Sequence, residues 1–188
     1  MTESKASLRL RLRKLRRSVH VARGEEAALS LQDHLIPCLG PVNNLLVAGY
    51  WPMGSEMDPR PLMASLQDRG ARLALPVVTA RNEALSFRAF CFVDALQPGL
   101  CGSLEPAPDQ PLLTPSLLLV PLLGFDHKGC RLGQGGGYYD RTLAVLRTQG
   151  QVKAIGIAYA AQEVASLPSQ AHDQRLDAIA TEEGFIEI

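Results

Sequence analysis

The segment Arg131-Leu-Gly-Gln-Gly-Gly-Gly-Tyr-Tyr-Asp-Arg141 concentrates more potential chemistry than any other part of the chain. Gly133, Gly135, Gly136 and Gly137 fall within five positions. Glycine is costly in backbone entropy, so this clustering implies unusual dihedrals or the close approach of another group. The run that follows, Tyr138 to Leu146, has an apolar pattern suited to a helix. A glycine turn opening a helix aims backbone N–H groups and the positive end of the helix dipole at one point, which suits phosphate. A tight turn that simply needs small residues is the competing reading. Arg131 and Arg141 favour the anion, because guanidinium groups pair bidentately with phosphate. The loop is neither a Walker A sequence nor a dinucleotide fingerprint: Gly-Lys-Ser/Thr is missing, and Tyr138 stands where GxGxxG needs its third glycine.

Carboxylates lie within reach of such a cradle. Asp140 falls in the first turn of the expected helix, where it either stabilises the dipole or binds magnesium. Asp173 and Asp177, in His172-Asp-Gln-Arg-Leu-Asp177, offer a second ligand or a solvated face. Trp51 and Met53 form either core or an apolar wall for a flat heterocycle, with Glu56 as a carboxylate at the pocket mouth. His20, His34 and His127 lack ligand spacing, no serine sits in a nucleophile elbow, and no cysteine has a partner marking it as catalytic.

The elements that must position these residues alternate between helix and strand. Leu8, Leu12, Leu15 and Val19 place an apolar stripe on one helix with a cationic face, interrupted at Gly24. Glu25 to Leu39 reads as a second helix, and Leu45 to Trp51 as a buried strand. A helix over Pro59 to Arg69 and strands over Arg72 to Val78 and Leu85 to Phe92 follow. Residues 94–116 carry Pro98, Pro106, Pro108, Pro111 and Pro115 and read as a long irregular connection, a feature more often functional than idle. Strand Leu117 to Pro121 leads into the glycine loop. Then come a helix to about Arg147, strand Ala154 to Ala160, a helical piece and a closing strand near Asp177 to Ala180. The pattern predicts a single domain of three-layer α/β/α, Rossmann-like architecture with a mainly parallel central sheet and an N-terminal basic helix. Ligands in such sheets sit beyond the carboxyl ends of strands, where the glycine loop leaves Leu117–Pro121.

Composition narrows the class. The chain has 188 residues, 46% hydrophobic and 20% charged, with no net charge, as expected of a globular domain. The charge is uneven: residues 1–23 hold eight Lys or Arg against one acid, leaving eleven basic and eighteen acidic residues elsewhere. The basic helix reads as a solvated face, a polyanion or membrane patch, or a lid over an anion. The acidic body and the lack of interleaved aromatics argue against nucleic acid. Cys38, Cys91, Cys101 and Cys130 show no zinc or CxxC spacing, and neither a signal peptide nor a long apolar span is visible. A reduced, cytoplasmic protein is the simplest expectation, with a mitochondrial transit peptide as the other reading of a basic N-terminus.

Together these residues resemble the 5-formyltetrahydrofolate cyclo-ligase family, also called 5,10-methenyltetrahydrofolate synthetases. Val120-Pro-Leu-Leu-Gly-Phe-Asp126 with Gly129 to Arg141 looks like the family block P-x-x-x-F-D-x-x-G-x-R-L-G-x-G-x-G-Y-Y-D. Lys5 and Arg9 resemble its N-terminal Lys-x-x-x-Arg, Glu56 the acid after the first strand, and His172-Asp173 with Leu176-Asp177 the H-D-x-x-L-D element. Residues 60–115 add little. The resemblance implies ATP- and Mg²⁺-dependent closure of 5-formyltetrahydrofolate to 5,10-methenyltetrahydrofolate. The γ-phosphoryl group passes to the formyl oxygen, N10 attacks the iminium phosphate, and phosphate leaves. No protein nucleophile is needed, in keeping with none found. Carried over by position, Lys5, Arg9, Arg131, Leu132, Gly133, Gln134, Gly135, Gly136, Gly137, Tyr138 and Tyr139 bind ATP. Trp51, Met53, Glu56 and Gly135 to Tyr139 border the folate, Asp140 and Asp173 hold Mg²⁺, and Arg131 and Tyr138 serve the chemical step. Gln134 and Gly136 stand where some members carry a basic side chain, which gives the N-terminal cations more weight. A monomer acting on small molecules, with neither nucleic acid nor membrane as partner, is implied. Two other readings remain: a sugar-phosphate or coenzyme A enzyme on this scaffold, or a folate- or RNA-binding module.

Overall fold

The computed structural model describes residues 3–188. The helices are α1 (Lys5–Leu35), α2 (Arg60–Asp68) and α3 (Tyr138–Gln149). The strands are β1 (Leu46–Ala48), β2 (Arg72–Val77), β3 (Ser86–Phe90), β4 (Leu96–Pro98), β5 (Leu104–Pro106) and β6 (Leu117–Pro121). They continue as β7 (Gly124–Phe125), β8 (Arg131–Leu132), β9 (Lys153–Ile157), β10 (Ala178–Thr181) and β11 (Gly184–Glu187). No helix among the described residues is long and apolar enough to cross a membrane.

The central sheet has the order β11-β10-β9-β6-β1-β2-β3. Its five inner strands are parallel, and β3 and β11 close the two edges antiparallel. The crossover from β1 to β2 carries α2, and the crossover from β6 to β9 carries α3. These crossovers run in opposite directions along the sheet, so right-handed connections set α2 and α3 on opposite faces. Side-chain alternation follows suit. Val47, Leu73, Leu75, Leu119 and Ile155 pack with Leu31, Leu35, Leu62 and Leu66 of α1 and α2. Ala48, Ala74, Leu118, Val120 and Ile179 pack with Leu143 and Leu146 of α3. The expected three-layer α/β/α architecture with a mainly parallel sheet and a basic N-terminal helix is present.

Several boundaries differ from expectation. The two N-terminal helices form one, with its break at Arg23 (φ −153°, ψ 24°) rather than at Gly24. The first strand stops at Ala48, although the Gly49 N–H still donates to the Ala74 carbonyl of β2 at 3.0 Å. Residues 94–116 are not irregular throughout: β4 and β5 pair as an antiparallel hairpin. The helical piece after β9 is one 3₁₀ turn, Ala160–Gln162, and a further strand, β11, follows the expected closing one.

The first half of α1 is anchored by a separate apolar cluster. Leu8 and Leu12 pack with Leu123, Leu132 and Leu167, beside the β7–β8 hairpin that leads into the glycine loop. The second half instead packs on the main core through Ala27, Leu31 and Leu35. The kink therefore divides α1 into two independently supported halves. Leu12→Ala should leave a cavity costing about 2–5 kcal/mol, confined to the first half. Amide exchange should accelerate over residues 8–20 and stay slow over residues 25–35. Equal acceleration in both halves would show that α1 opens as one rod.

Candidate active site

The loops after β1 and β6 diverge where the direction of chain progression through the sheet reverses, the usual ligand crevice of an open α/β sheet. A cavity of about 850 Å³ lies there, toward the upper end of the roughly 300–1,000 Å³ typical of ligand pockets. Every residue that the family resemblance assigns to ATP, folate or magnesium lines it, from Lys5 and Arg9 through Trp51, Met53 and Glu56 to Asp140 and Asp173; Asp177 lies outside it and accepts from Arg147 and the Ala154 N–H.

One wall is cationic. Lys5, Arg9 and Arg13 recur at four-residue spacing and so share a face of α1. Lys5 Nζ lies 2.9 Å from Asp173 Oδ2. Arg9 Nε donates to the Gly133 carbonyl at 3.0 Å, and Arg13 Nε to Gln134 Oε1 at 2.9 Å. The loop position that lacks a basic side chain of its own thus receives one from α1. Gly135 (φ +112°) and Gly137 (φ +64°) occupy backbone conformations that side-chain-bearing residues rarely adopt. Gly137 is the N-cap of α3 and offers no capping side chain, so the first-turn N–H groups of that helix are open to a ligand. Arg141 also lines the cavity, and it donates to the carbonyls of Gly136 (2.7 Å) and Glu83 (3.2 Å) and lies over the Tyr138 ring. It ties the back of the loop to the segment after β2.

Arg131 sits beneath the loop with its side chain 5% exposed. It donates to Asp140 Oδ1 at 2.7 Å and to the carbonyl of Gln174. Burial draws the guanidinium below its ordinary value, and Asp140 opposes that shift. Asp140 Oδ1 also accepts the Gln174 N–H at 2.9 Å, leaving Oδ2 outside both bonds. For Asp173, burial pushes the carboxyl up, but hydrogen bonds from Lys5 and the Gln170 N–H outweigh it and leave the group below the usual carboxylate range. Among the described residues no cluster of three or more His, Cys, Asp or Glu side chains is placed to hold a metal. Asp140 and Asp173, both lining the cavity, nevertheless suit a hard cation, which often takes only one or two carboxylates from the protein.

The facing wall is apolar and aromatic. Trp51 is half-buried in the loop after β1, edge-on to Phe90 with centroids 6.0 Å apart, with Arg60 over its face. Met53 is exposed at the rim. Glu56 is not at the mouth, as its sequence position suggests: it is buried, with Oε2 accepting the Met53 N–H at 3.0 Å. Burial lifts its carboxyl above the usual range, against the pull of the Met53 N–H and Arg16. Tyr139 is also held protonated, by burial first and then by the Glu56 charge. Tyr138 reaches across the cavity, its hydroxyl 3.4 Å from Cys101 Sγ.

Several lining residues escape a sequence reading. Pro76, Val78, Asn82 and Leu85 arrive from the end of β2 and the turn beyond it, and Cys101, Ser103 and Leu104 from the β4–β5 hairpin. Glu105 holds that hairpin in place: its buried Oε1 accepts from Ser103 Oγ (2.8 Å) and the Val78 N–H (3.1 Å). No local motif marks these residues. The proline-rich composition of the connection was the one available signal, and it pointed to function without naming a residue.

Residues 1–182 match the model of the 5-formyltetrahydrofolate cyclo-ligase family. The 5-formyltetrahydrofolate cyclo-ligase of Mycolicibacterium smegmatis is 33% identical over 187 residues, covering 95% of this chain and 93% of the relative. The enzyme of that name from Haemophilus influenzae is 28% identical over 177 residues, covering 92% and 94%. The NMR structure of Aquifex aeolicus 5,10-methenyltetrahydrofolate synthetase superposes with a TM-score of 0.79 at 26% identity, covering 97% of this chain and 92% of that one. The Mycoplasma pneumoniae synthetase, at 23% identity and a TM-score of 0.75, shares the fold. By the match over residues 1–182 and by these relatives, the chain belongs to the 5-formyltetrahydrofolate cyclo-ligase family.

Proposed function

We propose that the protein closes 5-formyltetrahydrofolate to 5,10-methenyltetrahydrofolate at the expense of ATP with Mg²⁺, releasing ADP and phosphate. The observation that carries this reading is the convergence of a cationic, glycine-lined wall and an aromatic wall with a buried carboxylate on one cavity. Such a cavity suits a polyphosphate and a flat heterocycle held side by side.

Lys5, Arg9 and the loop Arg131 to Tyr139 bind the triphosphate. The loop N–H groups and the α3 dipole point at the charge that shifts during phosphoryl transfer. Asp140 and Asp173 would hold Mg²⁺, which would neutralise charge on the phosphates. Trp51 and Met53 cover the pterin, and Glu56 accepts its N–H edge. With the two ligands fixed, the formyl oxygen of the folate attacks the γ-phosphorus and ADP leaves. N10 then attacks the activated formyl carbon and loses its proton to solvent, and phosphate departs carrying the former formyl oxygen as the imidazoline ring closes. No side chain is asked to form a covalent bond. Arg131 and Tyr138 line the region where phosphate changes partner, and the protein contributes position and electrostatics.

Mixing the protein with MgATP and 5-formyltetrahydrofolate should produce methenyl product, read in the near ultraviolet. No product at micromolar enzyme would overturn the proposal. Arg131→Lys should lower kcat by roughly 10²–10³ while retaining the native circular dichroism; an unchanged rate removes Arg131 from the site. Deleting residues 1–17 would also strip Leu8, Leu12 and Arg16 from buried positions, so the cationic wall is better tested by Lys5→Gln with Arg9→Gln. That pair should raise KM for ATP about tenfold or more, with KM for the folate nearly unchanged. Equal rises in both would mean that the helix supports the whole cavity instead of the triphosphate. Asp140→Asn should raise the Mg²⁺ concentration needed for half-maximal turnover, and a superimposable Mg²⁺ titration would exclude Asp140 as a ligand.

A further inference from the structure

Arg16 is the only charged residue of α1 that is buried. It lies seven positions beyond Arg9, on the same side of the helix, but does not line the cavity. Its guanidinium instead bridges the two loops that diverge at the crevice. Nε donates to Ser55 Oγ at 3.2 Å, in the loop after β1, and Nη1 to the Leu122 carbonyl at 3.4 Å, in the loop after β6. The same Nη1 stands 3.7 Å from Glu56 Oε1, with both side chains at most 10% exposed. The other oxygen of Glu56 accepts the Met53 N–H. The carboxylate is therefore held at both ends, by α1 on one side and by its own loop on the other.

We infer that Arg16 is a positioning residue for folate: it aims Glu56 at the pterin from the helix that carries the triphosphate-binding Lys5 and Arg9. This rests on the proposed cyclo-ligase reading of the cavity. A glutamate beside a pterin serves only with a fixed rotamer and a negative charge, and both depend on the partner at Oε1. The groups facing Glu56 are Arg16 from α1, Tyr50 at the end of β1 and Tyr139 from α3. Both phenols are held protonated by burial first and then by the Glu56 charge. Arg16 is therefore the opposite charge that offsets the burial of the carboxylate. Arginine suits the task because its rigid fork reaches Ser55, Leu122 and Glu56 together, which a lysine ammonium on a flexible stem does not reproduce.

The test is the pH dependence of KM for 5-formyltetrahydrofolate in the wild type, Arg16→Lys and Arg16→Met. In the wild type KM should climb as pH falls through the Glu56 titration, because the protonated acid no longer accepts two pterin N–H groups. Arg16→Met should raise KM about tenfold, keep kcat close to wild type, and move that limb about one unit toward higher pH. Arg16→Lys should leave the limb near its wild-type position and raise KM less. If Arg16→Met is unstable, Arg16→Lys carries the test alone, since lysine retains the charge and loses the fork. A variant with lower thermal stability but wild-type KM and an unmoved limb would assign Arg16 to packing and overturn the inference. So would an Arg16→Lys limb displaced as far as that expected for Arg16→Met. Absence of methenyl product from the wild type itself would sink the cyclo-ligase reading and this inference with it.

Discussion

Adjacent parallel strands β1 and β6 send their crossovers to opposite faces of the sheet, and the site depends on that reversal. Were both connections to pass over one face, the loops leaving the two strands would be covered by helix. Because they diverge, the carboxyl ends of β1 and β6 stand open, and each strand feeds its following loop into the gap. The β1 loop brings Trp51, Met53 and Glu56, and the β6 loop brings the glycine run. Neither loop needs a long excursion to reach the other.

The reversal alone leaves the crevice open at one side, and α1 closes it. The charge asymmetry of the chain then has a structural meaning: the basic N-terminus is a wall of the cavity and packs against the acidic remainder. The helix is held by apolar contacts at Leu8 and Leu12 and oriented by polar ones. Arg9 and Arg13 reach the glycine loop, and Arg16 reaches between the two diverging loops. A helix presenting only solvated cations would bind anions with little geometric selectivity. Hydrogen bonds to named carbonyls fix where the positive charge lies.

Much of this was legible in the sequence because the relevant signals are local. The glycine loop, the helix that follows it and the apolar strands flanking it are short-range patterns, and the residues chosen from them all line one cavity. The break in α1 was misplaced by one residue because glycine marks flexibility, whereas the departure from helical dihedrals falls on the preceding Arg23. Tertiary facts were beyond reach. Helical spacing puts Arg16 beside the stripe of Leu8 and Leu12 and Arg17 away from it, but that Arg16 meets Ser55, Leu122 and Glu56 is decided by the fold. The contribution of Cys101, Ser103 and Leu104 depends on a hairpin of two three-residue strands pinned by Glu105, too short to show a period. Glu56 looked like a rim residue because loops are usually exposed, and its burial follows from a partner forty positions away.

The ion pairs of the site explain how a strongly charged ligand pair could enter a partly buried cavity without a large desolvation cost. Lys5 is paired with Asp173, and Arg131 with Asp140. In the proposed complex each partner has a second interaction available: the cations turn to phosphate oxygens and the carboxylates to Mg²⁺. In that complex charges would exchange partners in place of being stripped from water at the moment of binding, so much of the electrostatic work would be done when the protein folds. The pairs also hold the site together, since an unpaired Arg131 with its side chain 5% exposed would be an uncompensated buried charge. Arg16 and Glu56 lie outside this exchange. In the proposed complex neither is claimed by phosphate or metal, so that pair would stay in place beside the folate while the phosphate side rearranged.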